Sequence, residues 1–239
     1  VSPQSTVVKK KSIPSKTLLD MLSIISHNVK GPVKYIQYIT DYTLGNWEKM
    51  SPEDLHECAS IINQSAKDIA ELLANMMQWA QIQKDEVVRH NVTFDLREII
   101  AEEIALHRTA EHIKKITIEN WVPKGTIVHT DSHLLRLAFQ NILSNALKFS
   151  FANTRIWIEY KEKDGNAQLS VQDEGKGISP EELELLLNDE FLSSPGTMDE
   201  RGSGLGTALT RKLAMLLGGE ITIESQLDAG TKVTLHLPV

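Results

Sequence analysis

A single cysteine, Cys58, excludes an internal disulfide and suits a reducing compartment. Aromatic residues are scarce, at 5% of the chain. No apolar run approaches the roughly 20 residues needed to cross a bilayer, and no signal peptide is visible. Positive charge is not in excess: the formal net charge is -7, which argues against broad nucleic-acid binding. Eight histidines show no metal-type spacing, so no zinc site is expected. A lysine-bearing phosphate loop of the Walker type and the eukaryotic-type kinase signature are both missing. Hydrophobic residues make up 41% and charged residues 24%, ordinary for a globular protein. The start at Val1 rather than Met suggests a piece of a longer protein.

Residues 1–15 are polar, carry Lys9-Lys10-Lys11 and two prolines, and read as a linker. Leu18, Leu22, Ile25, Val29, Val33, Ile36 and Ile39 or Thr40 then recur at steps of three and four, the seam of a bundle helix. Ser51-Pro52-Glu53-Asp54 begins a second helix, with a cap, a first-turn proline and two acids. It carries Leu55, Cys58, Ile62, Ile69, Leu72, Leu73, Met76 and Ala80. Two long helices joined by a short turn form an antiparallel hairpin with too little core of its own. Pairing two copies into a four-helix bundle supplies the missing burial, so a homodimer is expected.

Gln83 to Thr93 is polar and reads as a connection, with a hinge over residues 85–94. Beyond it, helices are expected from Asp95 to about His112, Asp131 to Phe149, Pro180 to Leu187 and Gly204 to Leu217. Strands are expected over Ile116–Trp121, Arg155–Lys161, Ala167–Gln172, Glu220–Ser225 and Lys232–Leu237. This mixture predicts an α/β two-layer sandwich over residues 95–239, following an all-α domain over residues 16–84.

His27 lies in Ser26-His27-Asn28-Val29-Lys30-Gly31-Pro32. At about 100° per residue it is roughly 200° from both Ile25 and Val29, so it faces away from the seam. An imidazole so placed is a candidate nucleophile at neutral pH. Pro32 is expected to kink the helix nearby.

Four clusters mark a second site. Asn141, Asn145 and Lys148 share one helix face in Asn141-Ile142-Leu143-Ser144-Asn145-Ala146-Leu147-Lys148-Phe149. Amide oxygens suit a magnesium already carrying phosphate and water, and the lysine can meet phosphate. Asp173-Glu174-Gly175-Lys176-Gly177-Ile178 ends a strand; its carboxylate can accept from an adenine amino group, and its glycines admit a ligand closely. Arg201-Gly202-Ser203-Gly204-Leu205-Gly206-Thr207 leads into a helix whose first N–H groups can hold phosphate. Gly218-Gly219 and Ala229-Gly230-Thr231 lie in the last segment, where Gly218 also fits plain turn chemistry.

Order and spacing of these clusters, from about Lys16 to Pro238, resemble the sensor histidine kinases of two-component systems. Ser26-His27 with Pro32 is similar to their phosphoacceptor box, Asn141–Phe149 to their N box, Asp173–Ile178 and Gly202–Gly206 to two glycine boxes, Glu190-Phe191 to the short box between, and Gly230-Thr231 to the last. The resemblance implies a dimeric hairpin domain followed by a Bergerat-type ATP-binding sandwich, with ATP and Mg2+ bound. It implies His27 as phosphoacceptor and Asn145 as magnesium ligand supported by Asn141. Lys148 would meet phosphate, Phe149 would lie by the nucleotide, and Asp173 would read adenine beside Gly175, Gly177, Ile178 and Thr231. Residues Ser193 to Arg201 would form an ATP lid, with Arg201, Gly202, Ser203, Gly204, Leu205 and Gly206 about the phosphates. The phosphoryl group would pass to an aspartate of a response-regulator receiver domain, which this chain does not carry. The fragment would be cytoplasmic, tied to a membrane only through parts outside this chain.

Two positions depart from the pattern. Asn28 stands where the family usually has an acid, and an amide cannot take a proton from the imidazole. Gly31 stands where Thr or Asn usually positions a water, so phosphatase activity is expected to be weak. Asn28 also gives some weight to a non-catalytic, ATP-binding scaffold. A gyrase-type ATPase is a third reading, but those enzymes carry a water-activating Glu where this chain has Asn141.

Overall fold

The computed structural model describes residues 15–83, 89–107, 113–163, 165–187, 194–198 and 204–238; for residues 15–28, 71, 78–83, 163 and 187 it describes only the backbone. These divide into two compact units, a helical one ending at Gln83 and an α/β one beginning at Arg89.

In the first unit, α1 (Ser15–Asn46) and α2 (Pro52–Gln83) pack together across a short 3-10 turn at Trp47–Lys49. Reciprocal bonds fix the start of α2. Asp54 N–H donates to Ser51 Oγ at 3.1 Å, and Asp54 Oδ2 accepts from the Ser51 hydroxyl and N–H at 2.7 and 2.9 Å. These bonds hold the Asp54 carboxyl below its usual range. One hairpin buries Pro32, Ile39, Cys58, Ser65 and Leu72 but leaves Val33, Leu73 and Met77 exposed. A second apolar stripe therefore remains uncovered on the single chain.

The second unit is a five-stranded sheet in the order β2-β4-β5-β7-β6. Its strands are β2 (Thr117–Asn120), β4 (Arg155–Lys163), β5 (Asn166–Asp173), β6 (Glu220–Gln226) and β7 (Gly230–Pro238). β2 runs parallel to β4 and the other pairs are antiparallel. Lys163 of β4 pairs with Asn166 of β5, and Gly165 has φ 75°; of the turn expected at 164–166, residue 164 lies outside the described residues. α3 (Leu96–Leu106), α4 (Ser132–Phe149) and α6 (Gly206–Leu216) pack on the sheet, and α5 (Pro180–Leu187) accepts at Leu186 O from Arg211 of α6 at 2.9 Å. Phe139, Ile142 and Leu143 of α4, with Leu209 and Leu213 of α6, pack on Ile156, Ile158, Leu169, Val171 and Leu235 of the sheet. The two-layer sandwich is the expected one.

Three expectations need correction. The connection over Gln83–Thr93 is shorter than its polarity suggests. α2 reaches Gln83, and β1 (Asn91–Asp95) pairs antiparallel with an unforeseen strand, β3 (Ile127–Asp131). The last residues of the expected 85–94 hinge are thus anchored in the second unit, where His90 N–H also donates to Asp131 at 2.8 Å and Arg89 Nε to Leu216 O. The helix capped by Asp95 stops at Leu106 rather than His112.

Candidate nucleotide site

Helix α4 carries both core and site. Asp131 starts it by accepting from the N–H groups of His133 and Leu134, each at 3.1 Å. Ala138, Phe139, Ile142, Leu143, Ala146 and Leu147 are buried against the sheet and α6. Asn141, Asn145 and Lys148 lie half-buried on the other face. Asn141 Nδ2 donates to Leu137 O at 2.9 Å, which turns its Oδ1 outward. A Cβ placed on Gly206 would lie 3.5 Å from Asn145 Nδ2, 3.7 Å from Asn141 Oδ1 and 3.8 Å from Asn145 Oδ1. The two amides therefore meet the first residue of α6, where a Cβ would make ordinary contact with both. The cap position of α6 is Leu205, which offers no side-chain acceptor to the first-turn N–H groups. Such a helix start suits an anion.

Asp173 closes the other end. The residue is 5% exposed. Oδ1 accepts from Gly175 N–H at 2.9 Å and Thr231 N–H at 3.2 Å. Burial pushes the carboxyl up to about 6, while those two N–H groups pull the other way. Glycine is required around it. A Cβ at Gly175 would sit 2.2 Å from Phe149 O, and one at Gly177, with φ 65°, 1.9 Å from Gln226 O. The loop is held further by Ser225, whose Oγ accepts from Ile178 N–H at 2.9 Å and lies 2.8 Å from Thr231 Oγ1.

Phe149 lies between two cations, with Lys148 Nζ 5.2 Å and Lys176 Nζ 5.0 Å from its ring centre. Lys176 and Ser225 were not singled out from sequence. Lys176 could have been, since it stands between Gly175 and Gly177; Ser225 has no local signal.

The structure thus brings together Asn141, Asn145, Lys148, Phe149, Asp173, Gly175, Gly177, Ile178, Gly206 and Thr231, with Gly204 and Leu205 leading into α6. Gly218 (φ 84°) and Gly219 end α6 by donating to Met215 O and Ala214 O, so they serve turn chemistry. Glu190, Phe191, Arg201, Gly202 and Ser203 lie outside the described residues. His27 and Asn28 fall on the helical backbone of α1, in the other unit.

The donor set fits magnesium. Two adjacent amides beside an anion-accepting helix start match an ion that keeps water and phosphate ligands. Among the described residues no group of three or more His, Cys, Asp and Glu side chains could hold a metal by itself.

Comparison with known proteins agrees with this geometry. Residues 130–239 match the family described as histidine kinase-, DNA gyrase B-, and HSP90-like ATPase. Histidine protein kinase DivJ of Caulobacter vibrioides is 30% identical over 219 residues, covering 91% of this chain and 37% of DivJ. A crystal structure of histidine kinase ThkA in complex with response regulator protein TrrA has a TM-score of 0.72 at 20% identity, covering 93% of this chain and 62% of that one. Full-length ShkA in complex with AMPPNP gives 0.60 at 18% identity, covering 90% and 45%. These two structures speak for the fold. The chain spans 37% to 58% of the length of the first curated relatives it matches.

Proposed function

We propose that this chain transfers the γ-phosphoryl group of ATP to its own His27: residues 130–239 match the family described as histidine kinase-, DNA gyrase B-, and HSP90-like ATPase, and 91% of the chain aligns with histidine protein kinase DivJ at 30% identity. The observation that carries this is the cluster: a buried acceptor at Asp173, a ring at Phe149, and two amides beside the start of α6 at Gly206, which has no side-chain cap. Asp173 Oδ1 is already engaged by two N–H groups, which aims the carboxylate at an adenine amino group. Lys148 meets phosphate. Asn145, with Asn141 behind it, would hold magnesium, which neutralises phosphate charge when bound.

In the reaction an imidazole nitrogen of His27 attacks the γ-phosphorus in line. The N–P bond forms as the bond to the β-phosphate oxygen breaks, ADP leaves, and the imidazole proton is lost. Asn28 cannot accept that proton, so it passes to water or another base and transfer is slow. From His27 the phosphoryl group passes to an aspartate of a receiver domain; ThkA was solved in complex with a response regulator. Gly31 presents no side chain, which supports weak phosphatase activity toward that partner. The stripe at Val33, Leu73 and Met77 supports homodimerisation. Among the described residues no helix is long and apolar enough to cross a membrane.

Asn28 also favours a second reading, an ATP-binding dimer that signals without catalysis. γ-Labelled ATP with magnesium, applied to wild type and His27→Gln, separates the two. Acid-labile, alkali-stable label on wild type alone supports the kinase. No label on wild type that binds nucleotide supports the scaffold.

A further inference from the structure

Helices end with unpaired carbonyls that must find partners. At the end of α4 those partners come from three distant parts of the second unit. Lys114, a residue only 4% exposed, donates through Nζ to Leu147 O at 2.9 Å, Lys148 O at 2.7 Å and Thr197 Oγ1 at 2.8 Å. Thr197 in turn donates its N–H to Lys148 O at 3.2 Å and its hydroxyl to Ser150 O at 2.6 Å. Phe149 O accepts from Lys176 N–H at 3.1 Å, and Lys176 Nζ donates to Pro195 O at 2.8 Å. Residue 197 is therefore pinned directly to the helix end that presents Lys148 and Phe149, and residue 195 is tied to it through Lys176.

We propose that Lys114, acting through Thr197, is a positioning residue for nucleotide binding: it locks the last turn of α4 to the segment after α5 and so fixes Lys148 and Phe149. A cation suits this place because the carbonyls of a helix C-terminus carry partial negative charge. Three oxygens in fixed directions match the three protons of one ammonium. Thr197 relays the tie, since its hydroxyl accepts from Lys114 while donating to Ser150. Lys114 lies outside the set expected to touch ATP, and Thr197, within the Ser193 to Arg201 segment expected to form the lid, acts here through the end of α4. This inference rests on the reading of the site as a nucleotide pocket.

The test measures the ATP–magnesium dissociation constant of the whole chain. Wild-type binding comes first, since its absence would refute the nucleotide reading itself and this proposal with it. Given wild-type binding, Thr197→Val, which keeps size and loses the hydroxyl, is expected to weaken binding about tenfold. Thr197→Ser is expected to restore it to within about twofold. Lys114→Met should weaken it at least as much as Thr197→Val. The double variant should be no more than about twofold worse than Lys114→Met alone, because both act on one tie. Thr197→Val that binds ATP as wild type does, with or without a lower melting temperature, overturns the proposal. If Lys114→Met does not fold, the Thr197 pair decides alone.

Discussion

Asp173→Asn removes one charge and keeps the shape of the side chain. The folded carboxyl titrates near 6 against an ordinary value of 3.8. At roughly 1.4 kcal/mol per pH unit, that gap converts to about 3 kcal/mol. The sign follows from proton counting. Between the two values the folded chain holds a proton that the unfolded chain has released, so stability falls as pH rises through that window. The penalty is absent well below pH 4 and complete above about pH 6. Asparagine never carries it. The stability of Asp173→Asn relative to wild type should therefore grow by about 2 to 3 kcal/mol between pH 4 and pH 8, while other titrating groups cancel in the difference. Urea unfolding in a Trp47→Phe, Trp79→Phe background reads this unit alone, since Trp121 and Trp157 both lie in it. The same variant should lose about tenfold or more in ATP affinity, because an amide donor faces the adenine amino group. A stability difference that stays flat with pH would refute the claim that Asp173 is held at a desolvation cost. Wild-type ATP affinity in the variant would refute its role toward adenine.

Wild-type ATP affinity should weaken as pH drops below about 6, where Asp173 takes up its proton, and titration calorimetry should show that component vanish in Asp173→Asn. Gly177→Ala drives a Cβ to 1.9 Å from Gln226 O and should abolish measurable ATP binding. Gly165→Ala, also at positive φ but with nothing within 4 Å, should cost only about 1 kcal/mol of stability and leave binding unchanged. Leu73→Asp places a charge on the exposed hairpin stripe; light scattering should show monomers while circular dichroism keeps its helical signal.

What could be read from sequence was local. The Asp173–Ile178 loop announces itself because a strand end, a carboxylate and two glycines fall within six residues. Asn141, Asn145 and Lys148 show because helical spacing alone puts them on one face. β1 and β3 were invisible for the opposite reason. Each has five residues, Asn91–Asp95 is mostly polar, and Asn91 pairs with Asp131, far along the chain. Lys114 and Thr197 are separated by most of the domain, and nothing near either one marks the 2.8 Å contact between them. Ser225 is similar: its bond to Ile178 N–H spans forty-seven positions.

β7 lies between β5 and β6, yet it follows both in the chain. Its first residues supply the Thr231 N–H that holds Asp173, and Gly230 passes so close that a Cβ there would be 2.0 Å from Asp173 O. With the site read as the nucleotide pocket proposed above, a ribosome that has released α4, the Asp173 loop and α6 has therefore still not completed it. The capacity to hold ATP would arrive with the last strand of the sheet. On that reading, chains cut short before β7 would be blind to nucleotide.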